Sequence, residues 1–342
     1  MNHKARAFVG YALCVGIALL TLFGVVRAAG AAPSAVVAAL VRGAFGSTYN
    51  TTNTLVQMVP LLLTGLGVLV AFRGRLFNIG AEGQFTVGAI AATAVGTSAL
   101  PGPLLLPLCL IAGTAAGALW SGIAGGLRHF RGVQEVLSTL LLNFVAAQLL
   151  AWMVRGPLQE AAGQFPVSDS VKVPARFTLL LPGTLLHSGL IVALVLLIGV
   201  GVHLRYGAGG FALRSVGANA EAARAAGLPV DRIRWATFLL SGGLCGIAGA
   251  LQICGVTYYL ADPYSKGYGY TAIAVALLAG LSPLALLPSA LFFGALAASA
   301  AEIQTAGVSS VFVQVLQAVV LAALLAIGRV RERAAATAGG RP

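Results

Sequence analysis

The 342 residues are 58% hydrophobic and only 9% charged, far below the roughly 25% charged content of soluble globular domains. That excludes a water-soluble fold and makes lipid the solvent. A net charge of +12 would suit a nucleic-acid partner if Lys and Arg clustered on one soluble face, but here they stand singly or in pairs at the ends of apolar runs, where they orient spans and meet anionic lipid heads.

A bilayer core needs about 20 mostly apolar residues per helix. Runs between charges and Gly/Pro punctuation predict ten spans, near 8–27, 54–72, 82–100, 104–127, 133–153, 184–204, 235–254, 268–282, 284–302 and 310–328. The first follows basic Met1–Arg6 and precedes the small residues Ala28–Ala32, like a secretory signal. It exceeds the roughly 7–15-residue core of such signals and reads as an uncleaved helix. The eighth is short and opens in a Gly/Tyr-rich stretch, the mark of a broken or re-entrant segment that must be buried in protein or line a cavity.

With the N-terminus inside, 15 of the 21 Lys and Arg fall on inner segments, and Arg27, Arg42, Arg155, Lys172, Arg176 and Lys266 fall outside. Both termini are expected in the cytoplasm, in a single transmembrane domain over 1–342. Gly113/Gly117, Gly122/Gly126 and Gly242/Gly246 predict close helix packing within the bundle. Cys14, Cys109, Cys245 and Cys254 form no CxxC pair and read as small buried hydrophobes.

Polar residues interrupt this pattern at particular places. Asn78, Glu82 and Gln84 surround the start of the third span. On the fifth, Glu135, Ser138, Thr139 and Asn143 are three or four apart and share one helix face, so the stripe points into the bundle or a wet cavity. Two readings stand. In one, these groups cap helices and bond between them, with Glu82 and Glu135 pairing Arg73, Arg75 or Arg131. In the other they line a solute path or gate, since a charge at mid-bilayer costs about 2.5–3.5 kcal/mol.

Two loops are long. Residues 155–183, with Pro157, Pro166, Pro174 and Pro182, form an external loop that is either a partner surface or a connector. Residues 205–234 form a cytoplasmic loop containing a short helix. Asn219 is its N-cap, Glu221 suits the dipole, Ala222, Ala223, Ala225 and Ala226 favour helix, and Gly227 with Pro229 stops it. So short a helix is marginal alone. It needs a docking surface, either a protein partner or the lipid surface.

No Lys precedes Ser or Thr, so the chain has no phosphate loop and no ATPase signature, and HExxH and GxSxG are absent. The four histidines are scattered, and Gly207-Ala-Gly-Gly-Phe-Ala212 lacks the βαβ context of a dinucleotide site. No catalytic residue, metal or cofactor is expected.

Four ordered motifs carry a family resemblance. They are Gly74-Arg-Leu-Phe-Asn78-Ile-Gly-Ala-Glu82-Gly-Gln84; Gly132-Val-Gln-Glu135-Val-Leu-Ser138-Thr139-Leu-Leu-Leu-Asn143; Val216-Gly-Ala-Asn219-Ala-Glu221-Ala-Ala-Arg224-Ala-Ala-Gly227; and Gly269-Tyr-Thr-Ala-Ile-Ala-Val275-Ala-Leu-Leu-Ala-Gly280 with Pro283. Over roughly 55–330 the chain resembles importer permeases of the branched-chain amino acid/simple sugar superfamily, and is most similar to nucleoside-type permeases that work with a lipoprotein receptor.

The resemblance implies an all-α, type II-like importer fold in the bacterial inner membrane. It implies a cytoplasmic coupling helix, here Asn219, Glu221, Ala222, Ala223, Arg224 and Gly227, that docks on a separate ATPase hydrolysing the ATP. A second permease paralogue and an extracytoplasmic solute-binding lipoprotein complete the machine, and the solute would be a nucleoside, purine or simple sugar. Thr271 stands where the family commonly has an acidic residue. The rival expectation is a self-contained secondary transporter, which needs a buried carboxylate or broken-helix ion site.

Overall fold

A computed structural model describes residues 30–305, 307–309 and 311–320, with isolated positions near both ends. The expected first span, 8–27, lies outside the described residues apart from Leu20, Phe23, Gly24, Val26 and Arg27, and so do Lys4, Arg6, Cys14 and the C-terminal Arg329, Arg331, Arg333 and Arg341.

Among the described residues the regular structure is helical, with only two isolated β-bridges, Val167 to Ala261 and Leu179 to His187. In chain order the α-helices are α1 (Pro33–Phe45), α2 (Thr48–Arg73), α3 (Ala81–Gly96), α4 (Gly102–Arg131), α5 (Glu135–Val154), α6 (Gly189–Tyr206), α7 (Ala208–Ala218), α8 (Ala220–Ala225), α9 (Val230–Gln252), α10 (Tyr268–Leu278), α11 (Pro283–Ala298) and α12 (Ala300–Thr305). A further apolar helix, α13, covers Val311–Val320.

Six of the described helices are long and apolar enough to cross a membrane: 48–73, 102–131, 135–154, 189–206, 230–257 and 283–305. They coincide with six of the ten expected spans. The third expected span is a 16-residue helix and the eighth an 11-residue one. Two helices were not anticipated. α1 occupies a stretch with Arg42 inside it, and α7 covers the Gly207–Ala212 stretch.

The chain divides into two compact units, residues 1–54 with 295–342, and residues 55–294. In the first, Gly43 of α1 lies so close to Ser299 that an added Cβ would stand 2.8 Å from its Cα. The Ser299 hydroxyl donates to the Leu40 carbonyl (2.8 Å), and Arg42 lies 3.7 Å from Glu302.

The second unit is organised around α9, 72% buried over its most apolar stretch, against 22% for α6. Gly113 and Gly117 of α4 interlock with Gly242 and Gly246 of α9, while Gly88 of α3 meets Gly246 and Gly249 meets the Phe85 backbone. A Cβ at Gly88, Gly117, Gly242, Gly246 or Gly249 would enter a neighbour's main chain, and one at Gly113 would strike the Ala250 Cβ at 2.7 Å. In lipid, such close approach maximises packing where the hydrophobic effect does not hold helices together. The third spaced pair, Gly122/Gly126, makes no such contact: Gly122 meets the Leu239 side chain, and Gly126 has only Phe130 within reach.

The external loop is ordered by backbone pairing with the segment after α9. Ser168 N donates to Leu260 O (2.8 Å), Val171 N to Tyr258 O (2.7 Å) and Phe177 N to Cys254 O (2.9 Å). Arg155 pairs with Asp262 at 2.7 Å, and the Arg176 guanidinium sits 4.6 Å from the Tyr258 ring centre. His187 fills the end of this cap, stacked on Phe177 with Gly255 against its ring.

Candidate functional site

The polar residues singled out in sequence converge at the start of α3, with two exceptions, Glu135 and Ser138. Between α2 and α3 the chain turns through Arg75 (φ 52°) and presents Asn78. Its Nδ2 donates to Gln84 Oε1 (2.9 Å) and Ser241 Oγ (2.8 Å), and its Oδ1 accepts from Gln84 Nε2 and Gly80 N (2.9 Å each). Asn78 and Gln84 are therefore a reciprocal amide pair tied to α9.

From α5, Thr139 Oγ1 accepts from Ile79 N (3.2 Å). Asn143 Oδ1 accepts from Gly83 N (2.8 Å), while its Nδ2 donates to Ile79 O (3.0 Å) and the Tyr270 hydroxyl (3.4 Å). These bonds satisfy α3 backbone donors that a helix start leaves open. Glu135, Ser138, Thr139 and Asn143 are all buried, as their shared face demanded. Ser138 is one exception to the convergence: its hydroxyl donates back to the Glu135 carbonyl at 3.2 Å.

Neither acid makes the ion pair expected of it. Glu135 pairs with Arg128, one helical turn before Arg131, because the α4–α5 turn at Gly132 (φ 66°) points Arg128 back across it. Among the described residues Glu82 pairs with no arginine. Its Oε2 accepts from Gly269 N (2.7 Å), and the carboxylate also faces Ser265 and the backbone N–H groups of Gly267 and Tyr270. A carboxylate there complements the positive end of α10.

Gly269 must be glycine, since a Cβ would enter the Ala81–Glu82 backbone. Tyr268 then reaches Gln57 Oε1 of α2 at 2.7 Å. The first three residues of α10 are thus fastened to α2, α3 and α5. Arg73 donates instead to the Leu281 carbonyl (2.8 Å), joining the end of α2 to the turn before α11.

The second cluster is a knob made by α7 and α8. Asn219 Oδ1 accepts from Glu221 N (2.9 Å) and Ala222 N (3.0 Å), the N-cap the sequence predicted. At the other end Gly227 (φ 83°) donates to Arg224 O and Leu228 N to Ala223 O, both at 3.0 Å. This two-bond left-handed cap seals the helix.

Ala223 departs from a docking role. It is buried with Val216 and Val230, and Leu228 closes over them, so it anchors α8 to its own chain while Glu221, Ala222 and Arg224 face outward. α7 is pressed to the end of α2, with Gly217 under the Arg73 carbonyl and Leu213 beside Gly74. Arg224 lies 3.4 Å from Asp231 of α9. Beside the knob, Phe211, Asn219, Ala222 and Ala226 line a groove of about 350 Å³.

A model of the family described as branched-chain amino acid transport system, permease component, matches residues 50–327. The chain belongs to that permease family. Among its relatives, a glucose ABC transporter permease protein of Haloferax volcanii is 37% identical, over 82% of this permease and 77% of the relative. A guanosine ABC transporter permease protein of Bacillus subtilis is 36% identical over 83% of each, and a nucleoside ABC transporter permease protein of Lactococcus lactis 30% identical over 81% and 79%. The two bacterial species each contribute a second, shorter match under the same description, at 30% and 28% identity.

The permease's fastened residues Gln57, Ser241, Tyr268 and Arg128 escaped sequence reasoning. Only Tyr268 carried a local signal, the Gly267-Tyr-Gly-Tyr270 run at the head of a span too short to cross. Gln57 and Ser241 act through partners distant in sequence, and Arg128 through the turn that carries it back to Glu135.

Proposed function

We propose that the permease is one membrane-spanning half of an ATP-binding-cassette importer in the bacterial inner membrane, moving a nucleoside, purine or simple sugar by alternating access. The names of its relatives support the solute classes. In this reading the chain crosses ten times with both termini in the cytoplasm. The six long helices are joined by α3, α10, the 310–328 run and the 8–27 run. A separate subunit hydrolyses ATP, and this chain supplies no catalysis and binds no cofactor.

A second permease is its partner, in keeping with the paired matches within one species. An extracytoplasmic lipoprotein delivers the solute to the ordered cap formed by residues 155–188.

The observation that carries this reading is the knob. A six-residue helix capped at both ends, projecting Glu221, Ala222 and Arg224 outward while Ala223 and Gly217 weld it to α9 and α2, is a lever that another subunit can push. The force reaches α2 at Arg73 and, through Leu281, the turn before α11. The start of α10, held by Gln57, Glu82 and Asn143, is the proposed gate.

The test replaces Asn219–Gly227 with a flexible tether in the reconstituted importer and measures labelled nucleoside and glucose uptake beside ATP hydrolysis. Uptake is expected to fall to background while the permease remains inserted. Normal ATP-dependent uptake would refute the lever. Uptake by this chain alone, driven by a proton gradient and abolished by ionophore, would favour the secondary transporter.

A further inference from the structure

Where α4 ends and α9 begins, on the side assigned above to the cytoplasm, lies a groove of about 190 Å³ lined by Arg128, His129, Asp231, Arg234 and Trp235. Three arginines meet two carboxylates here. Arg128 is taken by Glu135, and Arg224 by Asp231 at 3.4 Å. Arg234 keeps only a 3.9 Å approach to the same Asp231, and its buried Nε has no hydrogen-bond partner among the described residues. It also faces the positive charges of Arg128 and Arg224. A buried donor without an acceptor is costly, and neighbouring like charges add to the cost. An incoming anion relieves both.

We infer that this groove binds a phosphate-bearing anion, with Arg234 as its main ligand and Arg128 beside it. Guanidinium forks match phosphate oxygens in a way an ammonium does not. The surroundings favour a lipid head group over free phosphate. Trp235 is 47% exposed, and the neighbouring Leu127 and Phe130 are 38% and 78% exposed, an apolar and aromatic rim of the kind found where acyl chains meet head groups. Basic pockets between helix ends on this side suit anionic lipids. Because Asp231 also holds Arg224 of α8, an anion on Arg234 would leave Asp231 wholly to the knob, tying lipid occupancy to the lever. Naming the cytoplasmic side rests on the proposed orientation; binding itself is read without transport.

The test places the full-length permease in nanodiscs of phosphatidylcholine with phosphatidylglycerol and counts retained phosphatidylglycerol by native mass spectrometry. Wild type should retain it, and Arg234→Gln should lower retention at least about tenfold. Asp231→Asn, which removes the competing carboxylate, should raise it. Equal retention in wild type and Arg234→Gln overturns the inference. If Arg234→Gln does not fold, unchanged retention in Asp231→Asn overturns it instead. A parallel arm titrates inorganic phosphate in detergent free of anionic lipid. Phosphate that binds wild type but not Arg234→Gln assigns the site to free phosphate, and wild type that retains phosphatidylglycerol in nanodiscs yet takes up no phosphate in detergent assigns it to lipid. Wild type that takes up neither ends the proposal.

Discussion

The glycine seam between α3, α4 and α9 and the polar clasp at the start of α10 do the same task, holding helices together in lipid, with different balances of packing and hydrogen bonding. In the seam, backbone lies on backbone at Gly113, Gly117, Gly242 and Gly246 with no room for a methyl group. Such contacts cannot slide without opening voids, because packed interiors have discrete arrangements. In the clasp there is one such contact, Gly269 on the Ala81–Glu82 backbone, and the rest of the hold on α10 is a few bonds from Gln57, Glu82 and Asn143. Hydrogen bonds between membrane helices contribute only about 1 kcal/mol each, since the parted groups find other partners. One region is therefore built to stay and the other to part, which suits a transporter that moves a gate against a fixed bundle.

The harshest way to break the contrast is Gly246→Leu. The side chain would enter the α4 main chain, and the expected cost is about 3 kcal/mol or more. Monodisperse protein should be lost on size-exclusion chromatography. A folded, active Gly246→Leu variant would show that the seam tolerates movement.

The outer end of the seam has a pH-dependent element. His187 is buried, Nδ1 accepting from Gly189 N at 3.2 Å, and burial lowers its pKa from the ordinary 6.5 to about 4. Above pH 6.5 the ring is neutral folded or unfolded and contributes nothing to pH dependence. As pH falls from 6.5 towards 4 the unfolded state takes up the proton first, so stability is lost, up to about 3 kcal/mol once both forms are protonated. Hydrogen exchange over residues 178–189 should accelerate across that window in wild type, and the dependence should vanish in His187→Gln.

Next in size is the clasp. Asn143→Ala strips partners from Gly83 N and Ile79 O and should cost about 2 kcal/mol. The protein should stay folded by thermal melt while uptake falls and ATP hydrolysis persists. Uptake unchanged alongside the stability loss would make the clasp purely structural.

The gentlest change is Asn219→Ala, which removes the α8 N-cap for about 1 kcal/mol. Melting should hardly shift. Uptake per ATP hydrolysed should drop, and Asn219→Asp, which keeps the acceptor, should restore it.

Legibility differed between these regions for physical reasons. Both caps of α8 were readable because capping depends on residues within the same ten positions, Asn219 to Leu228. The buried face of α5 was readable from the spacing of Glu135, Ser138, Thr139 and Asn143. The partner of Glu135 was not, because the choice between Arg128 and Arg131 depends on how the chain turns at Gly132. The partner of Glu82 was less accessible still, being the start of a helix 187 residues away. The glycine pairs looked alike in sequence, yet Gly122/Gly126 stayed out of the seam because α9 presents the Leu239 side chain to Gly122 and not a glycine backbone, and Gly126 meets Phe130 of its own helix.

What the amino-acid sequence determined by itself is local or solvent-driven: helices, six of the ten expected spans recurring as helices long enough to cross, an inward polar stripe, a sealed short helix and a family. Lipid offers no partner for backbone polar groups, so apolar run length dictates where the long helices form. Only the tertiary structure decided which glycines interlock, that Ala223 turns inward, that α10 is held by Gln57, Glu82 and Asn143, and that Arg234 is left short of an acceptor. Those outcomes depend on which helix faces which, and that choice comes from the summed packing of residues far apart in the chain.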